Sequence, residues 1–240
     1  MTYILLSPTI FEVTHLLPKL GVTDRRSLGV LDLHCGKIGK KRVVAAISGV
    51  GKVNTAYALT LLFEAYPETE TVILSGCGGA YSGSGGAIGD VMIATEEIYA
   101  DEGVLIEEEW LSMEDIGIPL LEKGDKHYFN NFVMKEEVLE RVRSITDEIH
   151  HPEIIYGRFL TISTCSGSSK RGSRLYERFG AICENMEGAA AAHIAAIYDV
   201  DLIEVRGVSN LVEDRVFENW DIRAAVKNCS EVVLAILRGL

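Results

Sequence analysis

TVILSGCGGA (residues 71–80) sets an uninterrupted apolar run, Val72–Leu74, directly ahead of serine and glycine. A short Val/Ile/Leu run without polar alternation is the pattern of a strand covered on both faces. The glycines that follow read as an attached loop whose backbone a flat or sugar-like ligand can approach closely. The arrangement recurs along the chain. YILLS (3–7), RVVAAISGVG (42–51), DVMIAT (90–95), RFLTIST (158–164) and DLIEVRGVSN (201–210) all read as buried strands. Between them VNTAYALTLLFEAY (53–66), KEEVLERVRSITDEI (135–149), MEGAAAAHIAAIYD (186–199) and IRAAVKNCSEVVLAILRGL (222–240) repeat apolar residues at helical spacing. Strands alternating with helices imply βαβ units, and therefore an α/β fold around a largely parallel sheet. No repeat or low-complexity linker divides the sequence, so residues 1–240 are expected to form one domain. The segment 101–130 is the least regular and is expected to be an excursion over the site.

Sites in such sheets gather beyond the carboxyl ends of strands. Here those ends are SPTIFE (7–12), SGVGKVN (48–54), SGCGGAY (75–81), STCSGSS (163–169) and GVSN (207–210), each polar or glycine-rich. Together they predict a pocket for a small polar ligand.

Composition narrows the ligand. With 240 residues, 48% of them hydrophobic, the chain can bury one sizeable core. Its formal net charge is −12, which argues against a nucleic-acid partner. The five cysteines are scattered without a CxxC pair, so free thiols are expected rather than disulfides, a zinc ribbon or a dithiol site. MTYILLSPTIFEV (1–13) lacks a basic leader, and the uncharged stretch 72–89 is too rich in glycine and serine for a membrane helix. A soluble, cytoplasmic protein without a membrane partner is expected.

Familiar cofactor motifs fail on spacing. GVGKVN lacks the phosphate-loop pattern, because Ala46 stands at its first glycine and Val53 follows Lys52. GCGGAY is not a dinucleotide fingerprint, because Tyr81 replaces the third glycine. There is no GxSxG or HExxH, and the adjacent His150 and His151 read as a loop before Pro152. Neither a metal nor a cofactor is expected.

Six segments carry a resemblance: FEV (11–13), SGVGKVNTA (48–56), SGCGGA (75–80), IGDVMIA (88–94), ENMEGAA (184–190) and IEVRGVSN (203–210). In this order, across nearly the whole chain, they resemble the superfamily of nucleoside phosphorylases and methylthioadenosine/adenosylhomocysteine nucleosidases. That resemblance implies a single-domain three-layer sandwich with a mixed, largely parallel central sheet flanked by helices. It also implies homodimers or larger homo-oligomers. Within the superfamily, ENMEGAA and RGVSNLVEDR, with a Trp further on, are most similar to the futalosine hydrolases. Those enzymes remove hypoxanthine from futalosine in menaquinone biosynthesis.

The resemblance assigns roles residue by residue. Met186 would pack on the ribose, and Glu187 would accept from its 2′- and 3′-hydroxyls through charge-assisted bonds. Read without the resemblance, Glu187 is an ordinary first-turn carboxylate capping the alanine-rich helix. Glu184, three residues earlier, reads equally as a solvated or a contacting group. Glu12 would activate the water that attacks C1′ as the purine leaves. Asn210 stands where adenine-specific relatives carry Asp. Its amide can donate to O6 and accept from a protonated N7, which suits a 6-oxopurine. Trp220 would contact the 5′ side, with Arg215 nearby for a 5′ carboxylate, while Cys77, Gly78 and Thr164 would line the substrate. The superfamily's purine-stacking phenylalanine has no counterpart in 163–169. The expected activity is hydrolysis of a 6-oxopurine nucleoside. The alternatives are an adenine-releasing nucleosidase, a purine nucleoside phosphorylase and a non-catalytic nucleoside-binding protein.

Overall fold

The computed structural model describes residues 2–240, apart from the side chain of Phe217. The first half of the chain contains β1 (Thr2–Ser7), β2 (Asp24–Leu28), β3 (Leu31–Ile38), β4 (Lys41–Ile47), α1 (Lys52–Ala65), β5 (Thr69–Tyr81) and β6 (Val91–Tyr99). Four short strands follow, β7 (Gly103–Ile106), β8 (Glu109–Ser112), β9 (Leu121–Lys123) and β10 (Lys126–Tyr128). The second half holds β11 (Asn131–Val133), α2 (Glu136–Thr146), β12 (Ile154–Thr161), α3 (Ser169–Phe179), β13 (Cys183–Asn185), α4 (Gly188–Tyr198), β14 (Asp201–Val212) and α5 (Ile222–Gly239).

Ten strands form one mixed sheet in the order β11-β6-β12-β13-β5-β1-β4-β3-β2, with β14 paired to both β5 and β6. The central pairings β4–β1–β5–β14 are parallel, and antiparallel pairing takes over toward the β3–β2 edge. β5, β14, β6, β12 and β13 pair around a closed ring, which leaves no open edge in that part of the sheet. Alternation along β1 divides the core. Ile4 and Leu6 join Leu59, Leu62 and Phe63 of α1 and the buried alanines of α4. Tyr3 and Leu5 join Val138 and Val142 of α2 and Val232, Val233 and Ile236 of α5. Strand residues with period two thus feed two helical layers, giving the expected three-layer α/β sandwich.

Several features depart from the sequence reading, among them the β2–β3 hairpin and β13, which no apolar run marks. Residues 75–81 are not a loop: β5 runs on through Tyr81, in register with β14 up to the Tyr81–Val212 pair. Its glycines make room for neighbouring side chains, since a Cβ at Gly76 would lie 2.7 Å from both Arg206 Nη1 and Glu12 Oε1. The excursion at 101–130 folds as two hairpins, β7–β8 and β9–β10, and does not cover the site. Arg178 of α3 donates to the Trp110 carbonyl (2.6 Å), and Lys123 donates to the Ala196 carbonyl of α4 (2.8 Å), so both hairpins are tied to helices. Helix α3 lacks a long apolar stripe, because SKRGSRLYERF is rich in polar and charged residues, yet its caps are regular. The Ser168 side chain accepts from Arg171 N, and Gly180 closes the helix in the left-handed region.

Candidate active site

A cavity of about 360 Å³ opens past the carboxyl end of β1, against the later residues of β5 (Cys77–Gly79) and of β14 (Arg206–Asn210). Contributions come from each of the five strand ends named above, including Glu12, Val50, Gly78, Ser166 and Asn210. The β13–α4 turn adds Met186 and Glu187.

Glu12 sits on a single 3₁₀ turn (Ile10–Val13) just past β1. Its Oε2 accepts from Thr9 N (3.0 Å) and Thr9 Oγ1 (2.8 Å), and its Oε1 accepts from Cys77 N (2.8 Å). Burial raises its pKa above the usual carboxylate value, and the Cys77 N–H and the charge of Arg206 only partly offset this. The result is a fixed carboxylate of increased basicity, suited to accepting a proton.

Glu187 is 3% exposed and occupies the N-cap position of α4, but its side chain makes no capping bond. Asn185 does the capping instead, its Oδ1 accepting from Glu187 N (2.8 Å) and Gly188 N (2.7 Å). The Glu187 carboxylate is thereby released to other partners. Oε1 accepts from Gly51 N (2.8 Å), and Oε2 pairs with Arg206 Nη2 (3.1 Å). Gly188 must be glycine, because a Cβ there would collide with Glu97 and Glu204.

Arg206 is the residue that sequence reasoning overlooked. The available signal was IEVRGV, in which Glu204 and Arg206 lie two apart, on one face of an otherwise apolar strand. Arg206 Nε donates to Glu204 Oε1 (2.8 Å) and Nη1 to the Cys77 carbonyl (3.2 Å). Burial alone would lower its pKa, but the surrounding carboxylates of Glu204, Glu187 and Glu12 raise it overall. It is a permanent cation. Behind it, Glu97 is fully buried and accepts from Thr161 Oγ1 (2.8 Å) and Asn185 Nδ2 (2.5 Å). Burial, then the charge of Glu204, pushes its pKa well up, which favours the neutral form of Glu97 beside the Glu204 carboxylate.

Elsewhere on the cavity wall, Asn210 Oδ1 accepts from Ser209 Oγ (2.8 Å) and Nδ2 donates to the Leu211 carbonyl (3.0 Å). One N–H and one lone pair of the amide remain uncommitted. Glu184 also lines the wall, its Oε1 accepting from Ser166 N (2.9 Å) and its Oε2 from Tyr81 OH (3.1 Å). Met186 Sδ lies 3.4 Å from Cys165 Sγ, and the Arg215 guanidinium stands 4.9 Å over the Trp220 ring at the rim.

Of the residues singled out in the sequence, Glu12, Asn210, Met186, Glu187, Cys77, Gly78, Trp220 and Arg215 all line this cavity. Thr164 does not: it is exposed, and its carbonyl accepts from Arg171 Nη2 (3.0 Å). Cys165, Ser166 and Ile162 take its place on that wall. The apolar surfaces offered to a ligand include Phe11, Val50, Ile162, Met186, Trp220 and Ile222. Among the described residues, no His, Cys, Asp and Glu side chains cluster to hold a metal, and no helix is long and apolar enough to cross a membrane. All five cysteines are free.

A three-layer sandwich with paired carboxylates at its strand ends defines the class, and sequence comparison defines the family. Residues 3–238 match the phosphorylase superfamily, and the chain belongs to it. It is 32% identical over 193 residues to the futalosine hydrolase of Thermus thermophilus, covering 79% of each chain. It is 27% identical over 213 residues to the 5′-methylthioadenosine/S-adenosylhomocysteine nucleosidase of Mycobacterium bovis, covering 83% of this chain and 82% of that one. Among solved structures, the futalosine hydrolase of Helicobacter pylori superposes with a TM-score of 0.84 at 20% identity, over 100% of this chain and 98% of that one. The 5′-methylthioadenosine/S-adenosylhomocysteine nucleosidase of Streptococcus pneumoniae, bound to a transition-state inhibitor, has the same TM-score at 21% identity, over 100% and 99%. The expectation of an N-glycosyl hydrolase agrees with these relatives, which carry both names.

Proposed function

We propose that the protein hydrolyses the N-glycosidic bond of a 6-oxopurine nucleoside, with futalosine as the substrate and hypoxanthine as the base released. The observation that carries this reading is the placement of Glu12 and Glu187 on one cavity with Asn210 among its walls. Met186 packs on the ribose. Glu187 accepts from the 2′- and 3′-hydroxyls through the lone pairs that Gly51 N and Arg206 leave open. As the C1′–N9 bond breaks, the sugar gains oxocarbenium character and the purine gains negative charge. Glu12 takes the proton of the attacking water. The departing purine anion takes its N7 proton from bulk solvent, and Asn210 donates to O6 and accepts from that N7–H. At the 5′ end, Trp220 supplies an apolar face and Arg215 a cation for a carboxylated substituent. The protein acts in the cytoplasm as a homodimer or larger homo-oligomer.

Phosphorolysis fits the cavity less well. The one buried arginine on its wall is committed to Glu204 and Glu187, and the Gly51 N–H is spent on Glu187 rather than left for an anion. Glu12 would repel phosphate from the position where attack must occur. An adenine-releasing enzyme is disfavoured by the amide at Asn210.

Product analysis tests the reading. Purified protein is incubated without phosphate with futalosine, inosine and methylthioadenosine in parallel. Hypoxanthine released from futalosine is the expected result. Adenine released from methylthioadenosine would overturn the base assignment, and turnover that requires phosphate would overturn hydrolysis.

A further inference from the structure

We propose that Glu184 reads the N1 edge of the base, its carboxylate accepting the N1–H that a 6-oxopurine carries and a 6-aminopurine lacks. The assignment rests on the 6-oxopurine reading of Asn210 given above.

Strand register supplies the geometry. Gly79 of β5 is the partner of Glu184 across β13 and of Asn210 across β14. Residues level with one another on adjacent strands project to the same side of the sheet. A Cβ at Gly79 would stand 3.0 Å from Val212 Cγ2 and 3.3 Å from both Glu184 Cγ and Asn210 Nδ2, so the missing side chain lets the Glu184 and Asn210 side chains converge. Both residues line the cavity, which puts a carboxylate and an amide side by side on its wall. In a 6-oxopurine, O6 and N1–H are acceptor and donor on adjacent ring positions. An amide N–H facing O6 and a carboxylate facing N1–H complement that pair, and a 6-aminopurine presents the reverse pattern to both.

The surroundings of Glu184 support a ligand on this edge. It is 7% exposed, and no ion pair holds it among the described residues. Ser166 N and Tyr81 OH each occupy one carboxylate oxygen, which leaves lone pairs on both. Burial raises its pKa against the pull of those hydrogen bonds, so an additional donor is favourable to the ionised form. Beside it, Ser166 Oγ is buried at the same wall without a hydrogen-bond partner. This wall of the cavity has more polar capacity than the protein itself uses.

The test compares kcat/KM for three nucleosides sharing one 5′ substituent: the 6-oxopurine, its 1-deaza analogue with C–H in place of N1–H, and the 6-aminopurine. They are measured with the wild type and with Glu184→Gln. In the variant, the amide oxygen takes the Ser166 N–H and the NH2 group is turned toward the base. That group opposes N1–H but suits the N1 lone pair of a 6-aminopurine. The wild type should discriminate against the 1-deaza analogue by about 10- to 100-fold, the range for a hydrogen bond to a charged group. Glu184→Gln should abolish that discrimination and lower the 6-oxo to 6-amino preference by at least about tenfold. Because each preference is a ratio within one enzyme, a general loss of stability or turnover does not move it. Hypoxanthine release with unchanged ratios in the variant, or with a wild type indifferent to the 1-deaza change, would overturn the role of Glu184 and leave Asn210 standing. Release of adenine alone, or of no purine, would overturn the 6-oxopurine reading and this assignment with it.

Discussion

Arg206 Nη2 lies 3.1 Å from Glu187 Oε2 in an ion pair whose side chains are 1% and 3% exposed. The same guanidinium holds Glu204 and the Cys77 carbonyl, so one side chain ties β5 and β14 to the start of α4. Arg206→Ala would leave the Glu187 and Glu204 charges buried without a cation. Breaking a buried pair in this way costs about 3–5 kcal/mol. Urea denaturation should show that loss together with the loss of purine release; a change under about 1 kcal/mol would mean water already compensates the pair.

Glu12 must be ionised to accept a proton from water, so kcat/KM should fall as pH drops through its pKa. Burial places that acidic limb above the ordinary value of 4.5. Glu12→Gln should retain nucleoside binding while kcat falls by about 10²–10⁴-fold, the usual range for a general base. Residual turnover in the variant should have no acidic limb. Persistence of the limb in Glu12→Gln would assign it to another carboxyl.

Glu97 and Glu204 lead to a stability prediction with a definite sign. The folded pKa of Glu97 lies well above its unfolded value, so the native state binds a proton that the unfolded chain releases. That contribution is complete below the unfolded pKa and is lost as pH rises through the folded one. Melting temperature should therefore decline on the alkaline side, and the decline should be shallower in Glu97→Gln, which has no titratable proton at this position. Glu97→Ala removes the acceptor of Asn185 and Thr161 and should cost about 2–4 kcal/mol. Equal pH slopes in the wild type and Glu97→Gln would place the retained proton elsewhere.

The sequence was most legible where one pattern dominated. Apolar runs such as Tyr3–Leu6 and Val72–Leu74 mark strands covered on both faces, and they lie in the core as expected. Helix α3 was obscured because only Leu175, Tyr176 and Phe179 of its polar segment pack inward. The β2–β3 hairpin was obscured because β2, DRRSL, is an exposed edge. In the site, Glu12 and Glu187 were recognisable through motif resemblance, whereas Arg206, Glu97 and Glu204 were not. Their meaning is in contacts with one another and with Asn185 and Glu187, which join β6, the start of α4 and β14 across the fold, and spacing in the chain does not encode those contacts. Thr164 failed for a related reason: the turn after β12 directs Cys165 and Ser166 to the cavity, a choice that composition alone does not reveal.

Asn210→Asp should move base preference toward 6-aminopurines. Nδ2 of Asn210 lies 3.0 Å from the Leu211 carbonyl oxygen, and an ionised carboxylate in that position would face it as acceptor against acceptor. The substituted acid relieves the conflict by binding a proton, which gives the site the titratable donor that the amide lacks. With substrate bound, that single proton turns from the Leu211 carbonyl to N7, while the other oxygen accepts from a 6-amino group. The ratio of kcat/KM for matched 6-amino and 6-oxo nucleosides should rise by about 10²-fold or more, since either base then leaves or satisfies a buried polar group. Purine release from the two nucleosides in competition measures the ratio directly. An unchanged ratio, with hypoxanthine still the favoured product, would show that discrimination resides in other groups of the wall.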